Sequence, residues 1–313
     1  MSVRPTILCP IDYSDASAAA LRYAAALAEH FVARLIVLTV EDPLLTAVLS
    51  AHWTPEVSAR ELAVFATNAL ANDDRVLALC EYDVAVGKPP AEILRVAGER
   101  PCDLIIMSSH GLTGARKLFF GSTTERVLRE TTVPVLVTPP ANPGAIRLED
   151  ARRLLGRIVV PVDLSPASLH QVQVARGVAE ALDLPLVLLH VIEPVKSRVL
   201  ARLNLTGLDA ERREEAEEGL GELVATIPQS LHPEPLIVFG DPAEEAAKVV
   251  RDRHAGLVVM GLHGMPTLGP RMGSVTYRML CLTPTLVLAL PPAWAETARR
   301  TSIPAVASSA ATH

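Results

Sequence analysis

The chain has 313 residues, half of them hydrophobic and a fifth charged, with a formal net charge of −6. That length suits two ordinary domains, and the composition is that of a folded chain and not a disordered one. With no dense Lys/Arg cluster in either half, the negative balance argues against nucleic acid and against an anionic membrane surface as partners.

The chain opens through Arg4 and Ile7-Leu8-Cys9 to Asp12 without the apolar region of a signal peptide, so a cytoplasmic setting is expected. The first apolar run, 6–11, ends in Pro10-Ile11-Asp12-Tyr13-Ser14. Ser14 can cap a helix passing through Ala18, Leu21, Ala25 and Leu27. Further apolar runs follow at 35–40, 80–86, 104–107 and 133–137. Between them, 46–70 has apolar residues at helical spacing, such as Leu62, Phe65 and Ala69. Pro139-Pro140 and Pro143-Gly144 read as the start of a linker.

The second half then repeats the first. Pro161-Val162-Asp163-Leu164-Ser165 lies 151 residues after its counterpart, and Gly261-Leu262-His263-Gly264 with Gly273-Ser274 answers Ser108-Ser109-His110-Gly111 with Gly121-Ser122. Thr283-Pro284-Thr285 echoes Val133-Pro134-Val135. Its apolar runs are 158–162, 186–191, 236–239, 257–260 and 285–290. The near-constant offset marks two copies of one domain. The expected boundaries are 1–140 and 155–292, with a linker at 141–154 and a flexible tail at 293–313.

Continuous apolar runs without alternation suit strands covered on both faces, hence parallel sheets flanked by helices. Ser165 followed by Pro166 fits a cap and a first helical position. The acidic run Glu211 to Glu218 reads as a solvated helix face. The longest uncharged stretch, Met279 to Ala295, is interrupted by Pro284, Pro291 and Pro292 and is too short to span a bilayer. Cys9, Cys80, Cys102 and Cys281 stand singly, with no metal-ligand spacing, and read as small buried hydrophobes.

Ligands of open parallel sheets bind beyond the carboxyl ends of strands, where the strand order reverses. Asp12 and Asp163 close a first strand, and Gly111 and Gly264 follow a fourth. Gly121-Ser122-Thr123-Thr124-Glu125 and Gly273-Ser274-Val275-Thr276-Tyr277 lead into helices whose first-turn N–H groups suit an anion, and Ser122 with Glu125 fits a capping box. A carboxylate beside those phosphates would repel them, so Asp12 should face sugar or base. The ligand is then bipolar, as a nucleotide is. His110 and His263 either cap strand ends or touch phosphate, and the same two readings stand for Arg116, Lys117 and Arg271 as solvated or phosphate-facing cations. No P-loop, dinucleotide fingerprint or nucleophile elbow is present. The chain reads as a binder more clearly than a catalyst, and any hydrolysis would be slow and incidental.

Ser108-x2-Gly111-x9-Gly121-Ser122, together with the Pro-x-Asp-x-Ser strand end, resembles the Gly-x2-Gly-x9-Gly-(Ser/Thr) pattern of nucleotide-binding universal stress proteins. The first copy carries Ser for the leading Gly, and the second copy is one residue short between Gly264 and Gly273. The whole chain resembles the tandem members. That resemblance implies two Rossmann-like domains of the adenine-nucleotide alpha-hydrolase kind, each a five-stranded parallel sheet in the order 3-2-1-4-5. It implies adenine and ribose near Asp12 and the Val40 backbone, and phosphates near Gly111, Gly121, Ser122 and Thr123, with Pro10, Met107, Ser108, His110 and Thr124 completing the site. The parallel set is Pro161, Asp163, Val191, Met260, Gly261, His263, Gly264, Gly273, Ser274, Val275 and Thr276. ATP or AMP is the implied ligand, with Mg²⁺ riding on the phosphates. The implied role is a regulatory or chaperone-like one in the stress response, read by an unknown protein partner. The alternative is a scaffold that binds no nucleotide. A related adenylate-forming or pyrophosphatase enzyme is disfavoured, because neither Ser-Gly-Gly-x-Asp-Ser nor His-x-Gly-His occurs. Pro134 and Pro284 near the start of each fifth run mark edge strands, which could pair within the chain across a pseudo-two-fold axis or between chains as a homodimer.

Overall fold

The computed structural model describes residues 4–44, 54–109, 121–140, 143–145, 147–194, 206–262 and 273–292. His110, Gly111, Arg116, Lys117, His263, Gly264 and Arg271, the start of the 46–70 stretch and the segment 293–313 lie outside them.

The first lobe runs β1 (Thr6–Ile11), α1 (Asp15–Phe31), β2 (Arg34–Glu41), α2 (Pro55–Ala69), the short α3 (Asp74–Leu77), β3 (Cys80–Val86), α4 (Pro89–Glu99), β4 (Leu104–Ser108), α5 (Ser122–Glu130) and β5 (Val135–Thr138). After α6 (Leu148–Leu155) the second lobe repeats the pattern. It runs β6 (Ile158–Val162), α7 (Pro166–Leu182), β7 (Leu186–Ile192), α8 (Thr206–Ala225), β8 (Glu234–Phe239), α9 (Pro242–Asp252), β9 (Leu257–Gly261), α10 (Ser274–Leu282) and β10 (Leu286–Leu290).

Within each lobe the strands are parallel and follow the expected order, β3-β2-β1-β4-β5 and, reversed along the sheet, β10-β9-β6-β7-β8. The two sheets are not separate. β5 and β10 pair antiparallel, giving one mixed sheet of ten strands. Val137 lies opposite Val287, Leu136 opposite Leu288 and Val135 opposite Ala289. The registers of β5 on β4 and β10 on β9 make Leu136 and Leu288 equivalent residues of the two copies. A residue facing its own counterpart is the mark of a local two-fold axis.

The echo of Pro134 and Pro284 does not survive this register. Pro134 adjoins β5 directly, whereas Pro284 stands two positions before β10, so the prolines are not equivalent. Each fifth strand is the edge of its own lobe's sheet, and the two pair within the chain as expected, so neither is left open. The outer strands are β3 and β8, and charge guards both: Arg100 reaches Glu81 and Asp83, and Arg157 and Arg253 reach Glu234.

The apolar faces of the sheet are covered on both sides. On one, α1 and α2 pack Leu21, Tyr23, Leu62 and Ala66 over Cys9, Leu35 and Val37, and the same core continues through α6 and α7 to Val160 and Leu188. On the other, α4 and α5 bury Ile93, Val96, Val127 and Leu128 against Leu8, Ile36 and Ile105. That second core crosses the lobe junction to include Leu262 and Ala289, with Tyr277, Leu280 and Cys281 packed on it. The Ala-rich α1 carries seven buried alanines, and small side chains let it lie close across β1 and β4.

Within the expected linker 141–154 a helix begins, Leu148–Leu155, and buries Ala151 and Leu155. Its approach is fastened to the first lobe: Arg22 Nη1 donates to the Pro143 carbonyl at 2.7 Å, and Arg147 pairs with Glu29 and Asp73. Gly144 holds φ at +74°, and a Cβ there would lie 2.5 Å from the Ala19 carbonyl oxygen, so only glycine fits. Ser122 is the first helical residue and not the cap; Gly121 is the cap, and Glu125 pairs with Arg129 instead of closing a capping box. Finally, only Cys9 is buried, while Cys80, Cys102 and Cys281 are half-buried free thiols. Burial pushes Cys9 strongly up and holds Cys80 and Cys102 at about 11.

The acidic run does form a solvated face of α8, with Ala216 as its buried member. Among the described residues no helix is long and apolar enough to cross a membrane, and no cluster of metal-ligating side chains occurs.

Candidate functional site

The site begins with a parting of strands. β1 pairs with β2 over six residues but with β4 only at Ile7–Leu104 and Leu8–Ile105, and the ladder has ended before Pro10. In the second lobe β6 pairs with β9 only at Ile158–Leu257 and Val159–Val258, ending before Pro161. Proline offers no N–H to continue such a ladder. The strand order reverses at these two junctions, so a crevice opens at the carboxyl ends of β1 and β4 and again at those of β6 and β9.

Asp12 stands at the mouth of the first crevice. The next residue, Tyr13, has a positive φ of 63°, and Leu164 after Asp163 has 59°. This left-handed step turns the chain back so that the Ser14 N–H donates to Asp12 Oδ1 at 3.1 Å and the Ser165 N–H to Asp163 Oδ1 at 3.0 Å. Ser14 caps α1, its hydroxyl oxygen accepting from the Ser17 N–H at 3.1 Å while its own proton goes to Asp12 at 2.6 Å. Ser165 is the cap of α7 with Pro166 next, as expected, but its side chain makes no capping bond to the helix.

Across the crevice, each fourth strand's end is tied to the helix start that follows it. The Gly121 N–H donates to the Ser109 carbonyl at 2.8 Å, and the Gly273 N–H to the Leu262 carbonyl at 2.7 Å. The Thr124 hydroxyl donates to the Ser108 carbonyl and the Thr276 hydroxyl to the Gly261 carbonyl, both at 2.8 Å. Those protons are committed, so these two threonines can serve an anion only through their backbone N–H groups. Their side chains hold each helix start against its strand end. The cap residues of α5 and α10 are Gly121 and Gly273, which have no side chain to satisfy the N–H groups of the first turn. Val40 and Val191 lie near the ends of β2 and β7, and Met107 and Met260 near the ends of β4 and β9, on the same rim.

The family profile of the universal stress protein family matches residues 4–139 and again 155–291. The chain belongs to the universal stress protein family. Among curated universal stress proteins, MJ0577 of Methanocaldococcus jannaschii is 30% identical over an alignment of 154 residues that covers 44% of this chain and 95% of that protein. YxiE of Bacillus subtilis is 32% identical over 142 residues, covering 42% of this chain and 96% of its own. Each relative is thus as long as one lobe. Over its full length the fold is similar to the crystal structure of PA1789 from Pseudomonas aeruginosa, a protein of unknown function, with a TM-score of 0.66 and 18% identity across 96% of this chain and 98% of that one.

The two stress-protein lobes differ inside the crevice. In the second, the Gln171 amide donates to the Pro161 carbonyl at 2.7 Å and to the Val259 carbonyl at 3.0 Å, bridging the gap between β6 and β9. Its counterpart in the first lobe is Ala20, fully buried. His190 Nδ1 lies 2.9 Å from the Val162 carbonyl, which can only accept, so that nitrogen carries the proton. Thr39 holds the matching place on β2. The buried Ser168 donates to Asp163 Oδ1 at 2.9 Å, whereas its counterpart Ser17 donates to the Ser14 carbonyl. Desolvation pushes the Asp163 carboxyl up, but the hydrogen bonds from Ser165 and Ser168 outweigh it and leave the group below the usual carboxylate range. Sequence reasoning did not single out Gln171, Ser168 or the backbone turn at Tyr13. The first was readable by setting the copies side by side, Ala20 against Gln171; the turn had no signal, since neither Tyr nor Leu favours positive φ.

Proposed function

We propose that the first lobe binds an adenine nucleotide, ATP or AMP, across the ends of β1, β2 and β4. The carrying observation is the helix start at Gly121, left without a side-chain cap and tied to Ser109 beside the parting of β1 and β4. Phosphates would meet the N–H groups of Ser122, Thr123 and Thr124 together with the loop glycine Gly111, and glycine at 121 leaves the backbone open to close approach. Asp12, fixed by Ser14, would accept from a ribose hydroxyl, next to Pro10 and the Val40 backbone. Mg²⁺ would be held by the phosphates and not by a protein cluster.

In the second lobe, Asp163, Val191, Gly273, Ser274 and Val275 occupy corresponding places, but Gln171 closes the strand gap and Ser168 holds the carboxylate. That lobe binds nucleotide more weakly and acts mainly as the rigid partner of the first. Nucleotide occupancy then serves as a regulatory state, in a cytoplasmic protein of the stress response, read by a protein partner or by association of two chains. Titration of the purified chain with ATP and AMP tests this: one site per chain of clearly higher affinity is expected, and absence of heat or displacement with either nucleotide sinks the reading in favour of a scaffold.

A further inference from the structure

Tyr13 is placed as few tyrosines are. It follows Asp12 at the crevice mouth, holds the strained left-handed backbone, and remains 39% exposed. Its ring meets Phe65 of α2 edge-on, with centroids 5.4 Å apart and planes at 79°. Thr39, the residue before Val40 on β2, lies near its hydroxyl, as do Glu41 and Glu61. A large aromatic side chain braced by a second ring, yet partly uncovered, offers a ready stacking surface.

The second lobe lacks this surface. Leu164 takes the same backbone turn, and its side chain lies against Gly219 of α8, where an added Cβ would meet Leu164 Cδ1 at 3.4 Å. The Tyr13–Phe65 pair therefore has a Leu–Gly pair as its counterpart.

We propose that Tyr13 is the base-facing residue of the first lobe, its ring stacking on the nucleobase while Asp12 engages the sugar, so that only this lobe distinguishes a nucleotide from a bare polyphosphate. This deepens the preceding reading and rests on it. Strain at a bulky residue is a mark of sites where the side chain must be aimed, and stacking on one aromatic ring is worth about tenfold in affinity.

The test titrates the full chain and its variants with ATP and, separately, with inorganic tripolyphosphate. Tyr13→Leu copies a residue that the second lobe already accommodates in this backbone, so the fold is retained. ATP affinity should fall about tenfold while tripolyphosphate affinity stays put. Tyr13→Phe should stay within about twofold of wild type for both ligands. Tyr13→Asn, which also tolerates positive φ, provides a second ring-less variant. Equal losses for ATP and tripolyphosphate in the ring-less variants, or ATP binding as in wild type, overturn the role of Tyr13 while leaving nucleotide binding in place. A wild-type chain that binds tripolyphosphate as tightly as ATP overturns base and sugar reading together, and one that binds neither overturns the anion site as well.

Discussion

The two lobes share strand order, the bonds that tie each fourth strand to the following helix and even the positive φ after the strand-end aspartate, yet they treat the crevice differently. In the first lobe a buried alanine lies behind the parting strands and an aromatic pair flanks the mouth. In the second, Gln171 spans the gap and the aspartate is held by a buried serine. Duplication keeps the frame that folding needs, since the same backbone bonds recur in both. Side chains inside the crevice have diverged, as the proposal of a single nucleotide-binding lobe expects.

The largest test of this contrast is Gly121→Val against Gly273→Val. A branched side chain at the helix start would block the proposed phosphate path. The first variant should lose ATP binding by more than about 100-fold in calorimetry and the second should retain it; equal losses would make the lobes equivalent.

Asp12→Ala against Asp163→Ala is a finer probe. Loss of a charge-assisted hydrogen bond costs about 1.5–3 kcal/mol, or roughly 10- to 100-fold in affinity. The loss is expected for Asp12 only, so a matching fall in Asp163→Ala would reverse the assignment.

Gln171→Ala addresses stability instead of binding. Leaving the Pro161 and Val259 carbonyls without their donor should cost about 1–3 kcal/mol in urea unfolding. A further gain in nucleotide stoichiometry would show that Gln171 is also what closes the second crevice.

The smallest effect concerns acid. The Asp163 carboxyl is depressed in the folded state, so its contribution is present above the unfolded carboxylate pKa and is lost as pH falls through the lower folded value. Asp163→Asn should therefore lose less stability than wild type on acidification below about pH 4. Parallel acid titrations of the two proteins would place the effect elsewhere.

Much of the fold could be read from particular residues. The runs ending at Asp12 and Asp163 and the paired Gly-Ser helix starts marked the duplication, and their apolar continuity marked a parallel sheet, because burial on both faces removes the polar alternation. The helix at Leu148–Leu155 was hidden behind neighbouring prolines and glycine, since its stability comes from packing Ala151 and Leu155 and not from a strong local signal. The capping box at Ser122 and Glu125 had the right letters in the wrong frame: Gly121 takes the cap once the Ser109 carbonyl claims its N–H. The paired prolines at 134 and 284 misled for a similar reason, because letters can echo at a spacing that the strand register does not keep.

By itself, then, the sequence determined the repeat, the strand and helix order and the candidate carboxylates and glycines, because these follow from local periodicity and from residues with special backbone freedom. Tertiary structure decided that Leu136 faces Leu288, that Gln171 bridges two strands and that Tyr13 meets Phe65. Such contacts join residues far apart in the chain, and their partners are chosen by strand register and packing, which no local window contains.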